Sequence, residues 1–234
     1  MIDFYDFGTG RGNSMVMASR IWGGVGVGYE SSDSRRAEAI RRGLDCKPGD
    51  MLEIMPALPA NSASYVVLNH ILEHMTDARR ARNVIEDACR IAAWFVFMAG
   101  PWFDSDGYLL QRGVKLFASD WPTDHLTAVT SLMVRTACSD VLTATVTRLV
   151  IWGRQAIEST DHHYIYALPE NVRGLPHPYR YIKGTHLDKP HGVALHGCFY
   201  ELCAMAITEG SGDDDIRKFE VASKSAVRIH DERM

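Results

Sequence analysis

The sequence lacks any CxxC pair to hold zinc or run redox chemistry. Its five cysteines, Cys46, Cys89, Cys138, Cys198 and Cys203, are odd in number and widely spread. That excludes a zinc ribbon, a CxxC redox centre and a disulfide scaffold, and leaves them as small core residues suited to a reducing compartment. It also lacks a basic excess: the formal net charge is −4 and the isoelectric point about 6.2. Proteins that grip nucleic acid through its phosphates carry the opposite balance on the binding face, so no nucleic-acid partner is expected. No run approaches the roughly 18 apolar residues that cross a bilayer, and no charged segment leads into an apolar one at the start. A cytoplasmic protein with no membrane partner is the expectation. There is no internal repeat, and no H-E-x-x-H or paired Cys/His pattern to suggest a metal.

What is present is enough apolar material for one sizeable core: 46% hydrophobic and 23% charged residues in a chain of 234. The first hundred residues alternate short apolar runs with helical patterns, the signature of βαβ units and a mostly parallel sheet. Strands are expected over Ile2 to Phe7, Gly26 to Tyr29, Leu44 to Cys46, Tyr65 to Leu68 and Phe95 to Met98. Ser14 to Trp22 is expected to be helical, as is a segment capped by Ser32 or Asp33 and ended by Gly43. A third helix starts at Thr76 or Asp77, with Ala81, Val84, Ile85, Ala88, Ile91 and Ala92 on one stripe. Later come a helical stretch over Ala128 to Ala137, a strand over Ala144 to Trp152, and an antiparallel last strand over Cys198 to Ile207. The fold class expected is α/β, Rossmann-like, with helices on both faces. A single domain would span 1–209, with a nucleotide-binding half at 1–100 and a second half at 101–209 that contains an irregular insertion at 157–192. The Gly-Ser-Gly-Asp-Asp-Asp stretch then introduces a flexible tail at 210–234.

The segment richest in chemistry is Tyr5-Asp6-Phe7-Gly8-Thr9-Gly10-Arg11-Gly12-Asn13, between the first strand and the first helix. Glycines there let the chain turn tightly and let a ligand approach backbone N–H groups without meeting a Cβ. Asn13 stands where the dinucleotide pattern G-x-G-x-x-G has its last glycine, which weighs against a nicotinamide or flavin cofactor. Glu30 closes the second strand, where a carboxylate can accept both ribose hydroxyls. Asp50, in Gly49-Asp50-Met51, is placed to meet an adenine amino group.

Together with Leu68-Asn69-His70-Ile71-Leu72-Glu73-His74 and the approach Leu58 to Val67, these motifs resemble those of class I S-adenosylmethionine-dependent methyltransferases. The resemblance covers residues 1 to 100 well and the remainder in outline. It implies that Asp6, Gly8, Thr9, Gly10 and Gly12 lie along the methionine part of S-adenosylmethionine, Glu30 binds the ribose, and Asp50 and Met51 flank the adenine. Asn69 and His70 would stand beside the sulfonium. Ser64 or Tyr65 replaces the acidic residue usual at the start of strand four, and no helix precedes strand one. Another segment is therefore expected to cover the acceptor side.

No N/D-P-P-Y/F motif follows strand four, so the expected acceptor is a small molecule rather than a nucleobase; the oligomeric state stays open. A non-catalytic donor-binding partner protein and a nicotinamide oxidoreductase are the competing functions. His125 is the candidate base, with His70 beside it, and His74 reads as structural. Trp102, Phe103, Tyr108 and Trp121 either line the acceptor pocket or join the core. Segments 101–126 and 157–192 are expected to form a lid, and the late histidines, among them His162, His163, His177, His186 and His191, are expected at the surface without metal.

Overall fold

The computed structural model describes residues 1–116, 125–141, 146–167, 189–210 and 212–234. Five parallel strands come first: β1 (Ile2–Phe7), β2 (Gly26–Glu30), β3 (Asp45–Pro48), β4 (Ala63–Asn69) and β5 (Ala92–Pro101). Between them lie α1 (Asn13–Trp22), α2 (Asp33–Arg41), α3 (Met51–Ala57), a single 3₁₀ turn (Leu72–His74) and α4 (Ala78–Ile91). Asp77 starts α4 by accepting the Arg80 N–H at 2.9 Å, and Gly43 follows α2 with φ of 81°, the left-handed residue expected after a helix end. The second half adds α5 (Asp106–Leu110), β6 (Val114–Leu116), α6 (Ser131–Ser139), β7 (Arg148–Ala156), β8 (Ile165–Ala167), β9 (Phe199–Ile207), α7 (Asp213–Ala222) and β10 (Ala226–Arg233).

The main sheet runs β3-β2-β1-β4-β5-β9-β7-β10. β9 is antiparallel to β5, β7 to β9 and β10 to β7, so a mostly parallel sheet is closed by an antiparallel edge. Period-two alternation puts the apolar side chains of each central strand on both faces. Phe4, Tyr65, Val67, Phe95 and Phe97 pack on one face with Met15 and Ala18 of α1 and Ile216 and Phe219 of α7. Tyr5, Phe7, Val66, Leu68, Val96 and Met98 pack on the other with Met55 of α3, Val84, Ile85 and Ala88 of α4, and Val134 of α6.

The order reverses at β1 and β4: the chain steps outward through β2 and β3, then returns to lay β4 on the other side of β1. The carboxyl ends of β1 and β4 thus flank a topological switch point, where open α/β sheets form a ligand crevice.

The end of the chain departs from expectation. Residues 213–233 are a helix and a strand of the main sheet, not a tail. The three aspartates that look like linker composition are the first turn of α7, where acidic side chains complement the helix dipole. Ile216 and Phe219, three apart, are both buried, and Phe219 meets Trp152 with ring centroids 4.8 Å apart.

Segments 101–116 and 157–167 are joined by β6 and β8, which pair antiparallel as a small second sheet. The expected insertion at 157–192 and the first part of the expected lid are therefore in contact, with Ile157, Ile165 and Leu195 buried. Residues 117–124, including Trp121, and 168–188, including His177 and His186, lie outside the described residues. No helix among the described residues is long and apolar enough to cross a membrane.

Candidate functional site

The turn after β1 is shaped by its glycines. Gly8, Gly10 and Gly12 have φ of 70°, 58° and 87°, left-handed values that L side chains rarely adopt. The Gly8 N–H donates to the Tyr29 carbonyl at 2.9 Å and the Gly12 N–H to the Thr9 carbonyl at 2.9 Å, so the loop folds over the end of β2. A Cβ on Gly8 would come within 2.5 Å of the Ile71 side chain. One on Gly10 would meet nothing, so the space above it is open to a ligand.

Two buried carboxylates support this loop from beneath. Glu30, 6% exposed, accepts the Gly10 N–H at 2.7 Å and the Ser32 N–H at 2.8 Å, which ties the loop to the end of β2. Asp6 is fully buried; its Oδ2 accepts the Ser14 hydroxyl at 2.6 Å, while Oδ1 has no hydrogen-bond partner. Burial pushes the Asp6 carboxyl up to about 7 against the hydrogen bonds of Ser14 and Thr9, and the nearby Glu30 charge adds to the rise. Thr9 donates its hydroxyl to the Asp6 carbonyl at 2.8 Å. Further along the edge, Asp50 caps α3 by accepting the Leu52 N–H at 2.9 Å, and Met51 is buried beside it.

At the end of β4, Asn69 pairs in register with Ala99, and His70 takes φ of 52°, an uncommon value for a side chain of that size. Its N–H donates to the Ala99 carbonyl at 2.8 Å, and its ring sits between two carboxylates. Nε2 is 2.6 Å from Oε1 of Glu201, and Nδ1 is 3.3 Å from Oε1 of Glu73. Burial by itself would lower the imidazole, yet the Glu201 and Glu73 carboxylates outweigh it and push it up to about 10. The two carboxylates thus favour the protonated form of the His70 imidazole. Burial works against the charge on Glu201 as well, but His70 and the ion-paired Arg154 of β7 hold its carboxyl below the usual range.

Sequence alone assigns no role to Glu73, Glu201 or Arg154. A detectable signal exists: Glu201 is the one charge in the apolar run Cys198 to Ile207, and a buried charge requires a partner. Trp102 and Phe103, in contrast, are buried, and Trp102 packs on Phe199 at 4.9 Å, so they join the core rather than line a pocket. Tyr108 is partly exposed beneath the Arg112 guanidinium. His125 lies beside His74 at the carboxyl edge, with ring centroids 5.2 Å apart, and edge-on to Phe103 at 6.2 Å. Although no sequence spacing suggests a metal, the fold brings Glu73, His74 and His125 together, with one ligand atom from each within 4.8 Å of the others.

Comparison with known families and with curated proteins in sequence gives no match. Comparison of folds does. The chain is similar to a SAM-dependent methyltransferase from Archaeoglobus fulgidus at 15% identity and a TM-score of 0.57, covering 87% of this chain and 85% of that one. It is similar to magnesium protoporphyrin IX methyltransferase of Synechocystis with bound SAH at 12% identity and a TM-score of 0.50, covering 89% and 74%. A SAM-dependent methyltransferase from Methanosarcina mazei gives 11% and 0.50, covering 89% and 92%. The fold is that of the SAM-dependent methyltransferases.

Proposed function

We propose that the chain binds S-adenosylmethionine at the switch point and acts as a methyltransferase on a small-molecule acceptor. The observation that carries this reading is the turn after β1, whose left-handed glycines set the Gly10 N–H on the buried Glu30 carboxylate and leave the space above Gly10 open.

The residues present suit such a donor. A carboxylate offers about four lone-pair positions, and Gly10 and Ser32 take two of those on Glu30, leaving capacity for a ribose diol. The unpartnered Oδ1 of Asp6 is a buried acceptor beneath the loop, suited to the cationic methionine end. Asp50 and Met51 suit the adenine. A nicotinamide dinucleotide fits less well: Asn13 replaces the glycine that would let helix and strand pack closely, and its side chain accepts from Arg42 at 2.8 Å.

When bound, S-adenosylmethionine supplies a methyl carbon on a cationic sulfur, which an acceptor lone pair displaces in line. The chain's own contribution is alignment, worth on the order of 7–11 kcal/mol when both reactants are fixed. Asn69 and His70 border the reacting end; His70, held as a cation, positions rather than removes a proton. His125 serves acceptor activation, and the β6 and β8 segments form part of the acceptor-side cover.

Thermal melting tests the reading. S-adenosylhomocysteine at a hundredfold excess over its Kd is expected to stabilise the protein by about 2.7 kcal/mol, and NAD by nothing measurable. A shift with NAD alone refutes it.

A further inference from the structure

We propose that Glu73, His74 and His125 bind one divalent transition-metal ion at the acceptor edge of the sheet. Their ligand atoms lie within 4.8 Å of one another. Modest side-chain rotation brings such a set onto the roughly 2.0–2.2 Å bonds that zinc makes with imidazole nitrogen and carboxylate oxygen.

Two further observations point the same way. The Glu73 side chain is 1% exposed, and neither of its oxygens receives a hydrogen bond. A buried carboxylate with empty lone pairs is costly unless a cation fills them. His70 meets only Oε1, at 3.3 Å, and its short contact goes to Glu201, so Oε2 is left without a cation. The second observation is the backbone that carries the histidines. Leu126 and Thr127 donate their N–H groups to the Glu73 carbonyl at 2.8 and 3.0 Å. The Thr127 hydroxyl donates to the Met75 carbonyl at 2.7 Å across 52 residues of sequence. Three hydrogen bonds therefore fix the His125 segment against the 3₁₀ turn that bears Glu73 and His74.

Two imidazoles and one carboxylate favour zinc, iron(II) or cobalt(II) over magnesium or calcium, which prefer all-oxygen shells. Three protein ligands leave coordination positions open, the arrangement of catalytic rather than structural sites. Resting on the methyltransferase reading, those positions take an ionisable oxygen or nitrogen of the acceptor. The ion lowers the acceptor's pKa so that it sheds its proton to solvent and presents a lone pair at neutral pH. His125 then activates the acceptor as a ligand, and a free histidine base is not needed.

The full chain, stripped with chelator, is titrated with Co²⁺ and then Zn²⁺. One equivalent of cobalt with a visible d–d band, displaced by zinc, is expected. His74→Ala and His125→Ala should each remain folded and weaken binding more than about 100-fold, beyond the loss typical of an outer-shell change. Glu73→Gln should do the same; because that side chain is buried, the two histidine variants decide the question. Substituting His162 and His191, the alternative histidines, should leave the site intact. Absence of saturable binding, or undiminished binding in either His74→Ala or His125→Ala, overturns the proposal. The S-adenosylhomocysteine shift, measured with and without metal, is separate: its loss refutes the methyltransferase reading, while the metal titration judges the ion site.

Discussion

Asp6 makes both stability and donor binding depend on pH in a direction that can be worked out. Its carboxyl is fully buried and pushed up to about 7, so the folded protein holds this proton more tightly than the unfolded chain, where an aspartate titrates near pH 4. The stabilising contribution is fully present below about pH 4 and is lost as pH rises through 7. Three orders of magnitude in proton affinity correspond to roughly 4 kcal/mol, large against the 5–15 kcal/mol of a typical domain. Asp6→Asn keeps the shape and an acceptor for Ser14 but cannot ionise. Relative to that variant, the native protein should lose on the order of 10 °C of melting temperature between pH 4.5 and 8, at about 2–4 °C per kcal/mol for a chain this long. A cationic donor favours the ionised carboxylate, so its affinity should rise roughly tenfold from pH 6 to pH 8 in the native protein relative to the variant. Calorimetry of both proteins across that range cancels the ligand's own titration. Parallel melting curves would show that Asp6 is ionised in the folded state throughout, and the reasoning would fail.

Other perturbations follow from the same contacts. Glu30→Ala removes a charge-assisted acceptor worth roughly 1.5–3 kcal/mol and frees the Gly10 N–H, so calorimetry should show at least about tenfold weaker donor binding; unchanged affinity would remove Glu30 from the site. His70→Ala leaves Glu201 and Glu73 buried without their shared cation and should cost about 3–5 kcal/mol in urea unfolding; a loss below about 1 kcal/mol would mean that water reaches both. Cutting the chain after Gly210 deletes α7 and β10, and should abolish cooperative unfolding; Phe219→Ala alone should cost about 3–5 kcal/mol. A truncated chain that melts like the full one would show that α7 and β10 add little to the core.

The parts of the fold legible in the sequence are those set by local signals. Val66, Val67 and Leu68 had to be a covered strand because an unbroken apolar run fits a sheet with helices on both faces. The α4 stripe follows from spacing alone: Ala81, Val84, Ile85, Ala88 and Ile91 are buried on the helix, while Ala92, expected on the same stripe, is the buried first residue of β5. The glycine turn and Glu30 were legible because strand, turn, helix and strand place them in one crevice. Pairings between distant segments were not. Nothing in the spacing of His70 and Glu201, 131 residues apart, announces their contact, and Thr127 reaches Met75 by a route that only the fold decides. The chain end differs from expectation for another reason. Gly-Ser-Gly-Asp-Asp-Asp has the composition of a linker, but composition does not separate a linker from a left-handed entry at Gly212 followed by an acidic first helical turn. The deciding signal was Ile216 and Phe219 at helical spacing just beyond it.

The antiparallel edge does more than close the sheet. Glu201 comes from β9 and Arg154 from β7, and the two pair across neighbouring strands, so the counter-charge for His70 is built by the second half of the chain. His70 itself follows β4 and is held by the Ala99 carbonyl of β5. The four groups Glu73, His70, Glu201 and Arg154 therefore run as alternating charges from the segment after β4 to β9 and β7. Isolated, each buried carboxylate would be unstable in its charged form; in sequence, each is neutralised by the next. β10 and α7 lie outside that line yet support it, because β10 pairs along β7 while Phe219 packs under Trp152, two residues before Arg154. The placement of His70 thus depends on strands outside the parallel half of the sheet, and a change deep in the carboxyl-terminal half can displace it without altering a single residue of the glycine turn.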